Sequence, residues 1–317
     1  MRRAAGVLVG VAGLLGVLIG PIGSAPSAAA ASASPATVTL VSGGQSPRSK
    51  LRVAFTSGSE TTAVLEMKQS VRQTIEGTPG ASADVPPIRF PWSTTVDSVS
   101  ATGDAQVTSR YGAATVVNDG SLSAAQEQQL VEALAPLAHV SYSARVTDRN
   151  QLFDAQVSGT EGLDPAVAET MNQVADQSST LSVPLPREAV GVGGRWRSTI
   201  TLHVSGLRIT ERLSFVLRSR DASGIVVDVS YQQTAPRQRA DLPGVPKGAK
   251  VELTGLRGSG SGRVTMSPSE PVPVVGQSHA VLTQTFEVSQ GGQHGTLEQK
   301  VTADVNVSRP DAGSTGS

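Results

Sequence analysis

Between Ile200 and Tyr231 the apolar side chains recur at every second position, and that period restricts the fold more than any other feature of the chain. Ile200, Leu202 and Val204 are followed by Leu207, Ile209, Leu213, Phe215 and Leu217, then by Ile225, Val227, Val229 and Tyr231. A period of two puts such residues on one face of an extended strand, whereas one face of a helix needs a period near 3.6. The runs are separated at Gly206 and at Asp221-Ala222-Ser223-Gly224, so they read as an antiparallel meander.

The same alternation appears in Ala63 to Ile75, where Ala63, Leu65, Met67, Val71 and Ile75 oppose Glu66, Lys68, Ser70, Arg72 and Thr74. Near the C-terminus, Leu282, Phe286 and Val288 match Leu297, Val301, Ala303, Val305 and Val307 across Gln290-Gly291-Gly292-Gln293, the pattern of a closing hairpin. Further strands are expected at Leu51 to Phe55, Val96 to Tyr111, Val140 to Val146, Phe153 to Val157 and Val251 to Met266. Loops are expected at the Pro- and Gly-rich stretches Gly77 to Pro91, Pro184 to Gly194, Pro236 to Gly248 and Ser267 to Gly276.

Two segments carry helical spacing. Ser123 is placed to cap a helix lined by Leu130, Val131, Leu134 and Leu137, with Pro136 disturbing its last turn. Asp164-Pro165 opens a second, in which Val167, Met171 and Val174 recur. Aromatics make up 3% of the chain, so burial must come from many small and β-branched side chains, which suit strands. The expected fold is therefore mainly β, of α+β type: a large curved antiparallel sheet or half-barrel with two short covering helices.

Met1-Arg2-Arg3 precedes an uncharged run from Gly6 to Ile22 and then small residues through Ala36, the layout of a secretory signal with cleavage between Ala28 and Ala36. A retained membrane anchor is the competing reading of that run. The expected organisation is a signal and Ala/Ser-rich segment over 1–36, a single β-rich domain over 37–308 with 184–194 as the one candidate point of subdivision, and a disordered tail over 309–317. No second apolar run reaches membrane-spanning length, so no stable membrane span is expected once the signal is removed. Cysteine is absent, which excludes disulfides, thiolate chemistry and lipid attachment through cysteine.

The 26 basic and 26 acidic residues balance, so no long-range field recruits nucleic acid or anionic lipid. No residue pattern calls for a cofactor or fixes an oligomeric state. His139, His203, His279 and His294 lack metal-ligand spacing, and no catalytic residue is singled out. Gly258-Ser259-Gly260-Ser261-Gly262 fits neither a nucleophile elbow nor a phosphate loop and reads as a flexible hairpin tip or bulge. Glu211 breaks the apolar face of its strand. It is either a polar group in the wall of an apolar cavity or a residue accommodated by a register change, a bulge or an arginine partner. Trp92 and Trp196 are ring platforms for a ligand or buried anchors for loops.

The stretch Leu185-Pro186-Arg187-Glu188-Ala189-Val190-Gly191-Val192-Gly193-Gly194-Arg195-Trp196 resembles a turn found in a group of exported bacterial proteins of unknown function, many of them actinobacterial. The unit Leu130 to Val157 and the pair Leu51 to Phe55 and Ala63 to Ile75 resemble that group as well. Long antiparallel strands with two covering helices are also similar to the half-barrel of lipoprotein carriers, and that resemblance implies an apolar hollow for acyl chains. Many members of the exported group carry a lipid-attachment cysteine, which this chain lacks. The resemblance carries over no catalytic residue.

The expected function is that of an exported, non-catalytic protein of the cell envelope or the extracellular space that binds a hydrophobic or amphipathic small molecule or lipid. Leu130, Leu134, Val167, Met171, Val174, Leu207, Ile209, Glu211, Leu213 and Phe215 are the expected lining residues. A cell-surface structural or protein-interaction module is the alternative, and an extracellular hydrolase the third reading.

Overall fold

The computed structural model describes residues 37–118, 120–161, 183–204, 207–240, 249–270 and 275–310. Fourteen strands join in one antiparallel sheet that does not close. One edge is β1 (Thr37–Ser42), followed by β8 (Arg195–Val204), β9 (Leu207–Asp221), β10 (Gly224–Thr234), β12 (Lys250–Met266), β13 (Val275–Gln290) and β14 (Gln293–Ser308). The path continues through β2 (Glu60–Ile75), β3 (Thr78–Val99), β4 (Ala105–Tyr111) and β6 (Ser141–Val146) to the other edge, β7 (Leu152–Ser158). Two short strands lie off this path: β5 (Thr115–Val116) pairs with β3, and β11 (Gln238–Arg239) with β12.

The meander over β8 to β10 and the hairpin of β13 and β14 stand where the period-two runs place them. Gly291 and Gly292 turn that hairpin with φ of 58° and 84°, a geometry that Gly adopts without steric cost. The mainly β fold of the expectation is the fold observed.

Four local expectations need correction. Val96 to Tyr111 is two strands, because Ala101-Thr102-Gly103 turns the chain and the Asp104 N–H is held by the Ser100 hydroxyl (3.1 Å). Of the stretch Gly77 to Pro91, Gly77 lies in the turn after β2, and Thr78 to Pro91 forms the first part of β3 and not a loop. Its prolines are tolerated because much of β3 pairs only with β2 on one side, and Pro86-Pro87 fall in a bulge between the pairs Met67–Ile88 and Gln69–Val85. Leu51 to Phe55 is extended but forms no ladder. Instead it straps the sheet, as the Val53 N–H donates to the Asp148 carbonyl (2.8 Å) and that of Ala54 to Pro268 (2.7 Å). Gly258 to Gly262 is no hairpin tip; it lies within β12, paired on both sides with β10 and β13.

Those glycines have a packing reason. A Cβ on Gly260 would overlap the Tyr231 ring, and one on Gly258 would press on Gln233, so the bare backbone of β12 is the bed on which two large cross-strand neighbours lie.

The apolar face carries three clusters of buried side chains. The largest joins Trp196, Leu207, Ile209, Leu213, Phe215 and Leu217 to Leu253, Met266 and Phe286, with Leu51, Val53, Val183 and Leu185 added from the connections. A second joins Met67, Ile88 and Phe90 to the one described helix, α1 (Ala124–Leu134). A third lies between β3, β4 and β6 around Val96, Val107 and Val146, and Phe55 of the strap touches the first and third together. Each fully buried Leu, Val or Phe contributes roughly 1.5–3 kcal/mol.

Helix α1 begins as its sequence dictates. The Ser123 side chain accepts from the Gln126 N–H, and the Gln126 side chain accepts from the Ser123 N–H, closing a capping box. At Pro136 the chain tightens into a 3-10 turn, Ala135–His139. The second expected helix, with Val167, Met171 and Val174, lies outside the described residues. Strands on both sides of 184–194 share the one sheet, since β14 pairs with β2 and β1 with β8.

Candidate functional site

The polar face of the sheet holds a hollow of about 930 Å3, and the strand register explains its composition. Along one row, Ser230 of β10 stands opposite Ser261 of β12, Ser261 opposite His279 of β13, His279 opposite Asp304 of β14, and Asp304 opposite Lys68 of β2. The next row runs from Val216 through Asp228, Arg263 and Gln277 to Asn306 and Glu66. These polar positions are the alternates of the buried ones, so the pattern that builds the core also builds the trough. Its floor is backbone whose N–H and C=O groups are spent in ladders, and recognition there falls to side chains.

Ion pairs organise the trough. Asp228 accepts from both Arg218 (2.6 Å) and Arg263 (2.7 Å), and the Arg263 bond, then the Arg218 bond, holds the Asp228 carboxyl below the usual carboxylate range. His279 Nδ1 lies 2.7 Å from an Asp304 carboxylate oxygen, and Arg89 reaches Glu66 at 2.6 Å. Lys68 has no ion-pair partner among the described residues. It borders this hollow and, with Asp304, a smaller one of about 310 Å3 that continues toward Asp84 and Ser121. Three bases, Lys68, Arg218 and Arg263, face three acids, Glu66, Asp228 and Asp304.

Ser261, His279 and Asp304 stand side by side in an order that invites comparison with a hydrolytic triad. The geometry does not supply one. Among the described residues the Ser261 hydroxyl makes no hydrogen bond to His279, and both strands are paired on each side, which leaves no backbone N–H free for an oxyanion.

The expected lining residues fall in two separate places. Leu207, Ile209, Leu213 and Phe215 are packed in the largest cluster, where Phe215 stacks on Trp196 with centroids 5.5 Å apart. Leu130 and Leu134 pack with Met67, Ile88 and Phe90 in the second cluster. Val167, Met171 and Val174 lie outside the described residues.

Glu211 is 5% exposed and in register, opposite Ile200 on one side and Gln233 on the other, so neither a bulge nor a register change explains it. Its partner is an amide and not an arginine: Gln233 Nε2 donates to a Glu211 carboxylate oxygen at 2.6 Å. Burial raises the Glu211 carboxyl above its usual range, and the Gln233 bond offsets only part of that. Burial and then the Glu211 charge push the Tyr231 phenol up to about 12. On the same face Gln69 Nε2 and Gln284 Oε1 are buried with no hydrogen-bond partner.

Trp196 is an anchor. Its indole N–H donates to the Pro184 carbonyl (2.8 Å), and Gly191 and Gly194 allow the following turn to press against residues 43–47. The Leu185 to Trp196 stretch is thus a lock between a connection and the start of β8. Trp92, half-buried, stacks on Tyr111 at 6.4 Å.

Lys68, Asp228, Arg263 and Asp304 were not singled out in the sequence because charged residues on the polar face of a strand read as solvated surface. Only the register across six strands gathers them. Comparison with protein-family models found no match, and none of the curated proteins compared with the chain matches it.

Proposed function

We propose that the protein is exported and acts outside the cytoplasmic membrane as a non-catalytic interaction module, binding a polar protein surface in the trough of its sheet. The observation that carries this reading is the trough itself: a hollow on the polar face, lined from seven strands, where Lys68, Arg218 and Arg263 balance Glu66, Asp228 and Asp304. Equal charge disfavours a polyanion, and the absence of aromatic side chains from the lining disfavours sugar stacking, so a surface bearing both charges is the complement. The layout of residues 1–36 and the resemblance of Leu185 to Trp196 to exported proteins support the location.

A photo-crosslinking residue at Ser261 in the secreted chain tests the reading. One partner that is captured there, rebinds when purified, and loses affinity to the charge-reversed pair Lys68→Glu and Asp304→Lys supports it. Unchanged affinity in that folded variant overturns it.

A second reading is binding of an amphipathic molecule on the apolar face. It is favoured by the buried, unpartnered Gln69 and Gln284 amide atoms and the raised Glu211 carboxyl, polar groups that a ligand headgroup can satisfy. Native mass spectrometry of the secreted protein before and after organic extraction separates the two: an extra mass that extraction removes selects the amphipathic ligand.

A further inference from the structure

The β6–β7 turn meets two connecting stretches, the one before β2 and the one before β8. The Val53 N–H donates to the Asp148 carbonyl (2.8 Å), and the Leu185 N–H to the Arg149 carbonyl (2.8 Å). The Arg52 side chain spans all three stretches, reaching the Pro186 carbonyl (3.1 Å), the Arg187 carbonyl (3.2 Å) and the Asp148 carboxylate (3.0 Å). These bonds fix positions 52, 149 and 187 at one spot, and all three are arginine.

Gathering like charges needs a compensating partner. Two carboxylates, Asp148 and Glu188, stand against the three guanidiniums, and Asp148 is engaged by Arg52. Arg149, half-buried, and Arg187, exposed, make no side-chain hydrogen bond or ion pair among the described residues. Burial, then Arg187 and then Arg52, lowers the Arg149 guanidinium below its ordinary range, and Asp148 and Glu188 do not make up the difference. The spot therefore carries a surplus positive charge held by a rigid backbone frame.

We propose that Arg149 and Arg187, positioned by Arg52, bind a phosphate group. A phosphate presents enough oxygens for two guanidinium forks at once and, unlike a carboxylate, carries close to the two negative charges that a pair of arginines balances. The site stands apart from the polar trough and does not rest on the function assigned to it. The phosphate is free in solution or the headgroup of an anionic lipid; the chemistry that recognises it is the same.

The test uses the secreted chain at low salt with sodium pyrophosphate as probe, read on the arginine Nε–Hε resonances. Parallel sedimentation uses phosphatidylcholine vesicles with and without phosphatidylglycerol. The Arg149 and Arg187 resonances are expected to move together, and R149Q/R187Q to weaken binding by at least about tenfold. Circular dichroism checks that the variant stays folded, and R257Q on β12 serves as a control for loss of an arginine outside the site. Vesicle retention that needs phosphatidylglycerol and is lost in R149Q/R187Q assigns the phosphate to a headgroup; pyrophosphate binding alone assigns it to a soluble ligand. The proposal is overturned if neither probe gives a variant-sensitive response, or if R257Q weakens binding as much as R149Q/R187Q.

Discussion

Gln233 and Glu211 face each other across β10 and β9, joined by a hydrogen bond of 2.6 Å in an otherwise apolar stretch. Because the folded carboxyl binds its proton more tightly than a free one, its contribution to stability is fully present below the unfolded value near 4.5 and is lost as pH rises through the raised folded value. Thermal unfolding followed across that window should show the wild type losing ground steadily to Glu211→Gln, which keeps an acceptor for Gln233 and has nothing to ionise. Parallel pH profiles for the two proteins would remove Glu211 as the titrating group.

Trp196 couples the core to the connection before β8. Trp196→Ala should cost about 3–5 kcal/mol in urea unfolding from lost volume and packing. It should also raise amide exchange at Leu185, whose N–H is held by Arg149. A loss of stability with unchanged exchange at Leu185 would separate packing from the lock.

Gly260 lies under the Tyr231 ring. Gly260→Ala should destabilise by about 1–3 kcal/mol, and Tyr231→Ala should recover part of that loss in the double variant. Full additivity of the two losses would show that the ring is not what the new methyl meets. Recovery is expected to stay partial because the His279 carbonyl also lies close to that position.

Asp228→Asn frees two arginines in the trough but removes only exposed ion pairs. Its effect on unfolding free energy should be under about 1 kcal/mol, while affinity for a trough partner should change several-fold and become less sensitive to salt. A large fall in melting temperature would mean that the pair holds the sheet together and is not a recognition element.

The meander, the closing hairpin and the capped helix were legible because each is encoded locally: the period of Leu207 to Leu217, the Gly291-Gly292 turn, the Ser123–Gln126 box. What escaped was set by partners distant in the chain. Gly258 to Gly262 looks like a loop until Tyr231 and Gln233 are laid over it, and Pro79 to Pro91 looks like a break until β2 supplies the ladder. Leu51 to Phe55 has the composition of a strand, yet its hydrogen bonds go to Asp148 and Pro268. The trough was illegible for the same reason, since Lys68, Asp304, His279 and Arg263 share a surface only through register.

The pairing of β2 with β14 sets Ile75 against Leu297, residues from opposite ends of the chain. Contacts of such long separation form late, after a large loss of chain entropy. A polypeptide emerging amino-terminus first must therefore wait, with the flank of β2 bare, until its last hairpin arrives. Removing that hairpin would not leave a slightly smaller protein. It would leave two half-sheets with raw edges, each an invitation to aggregate.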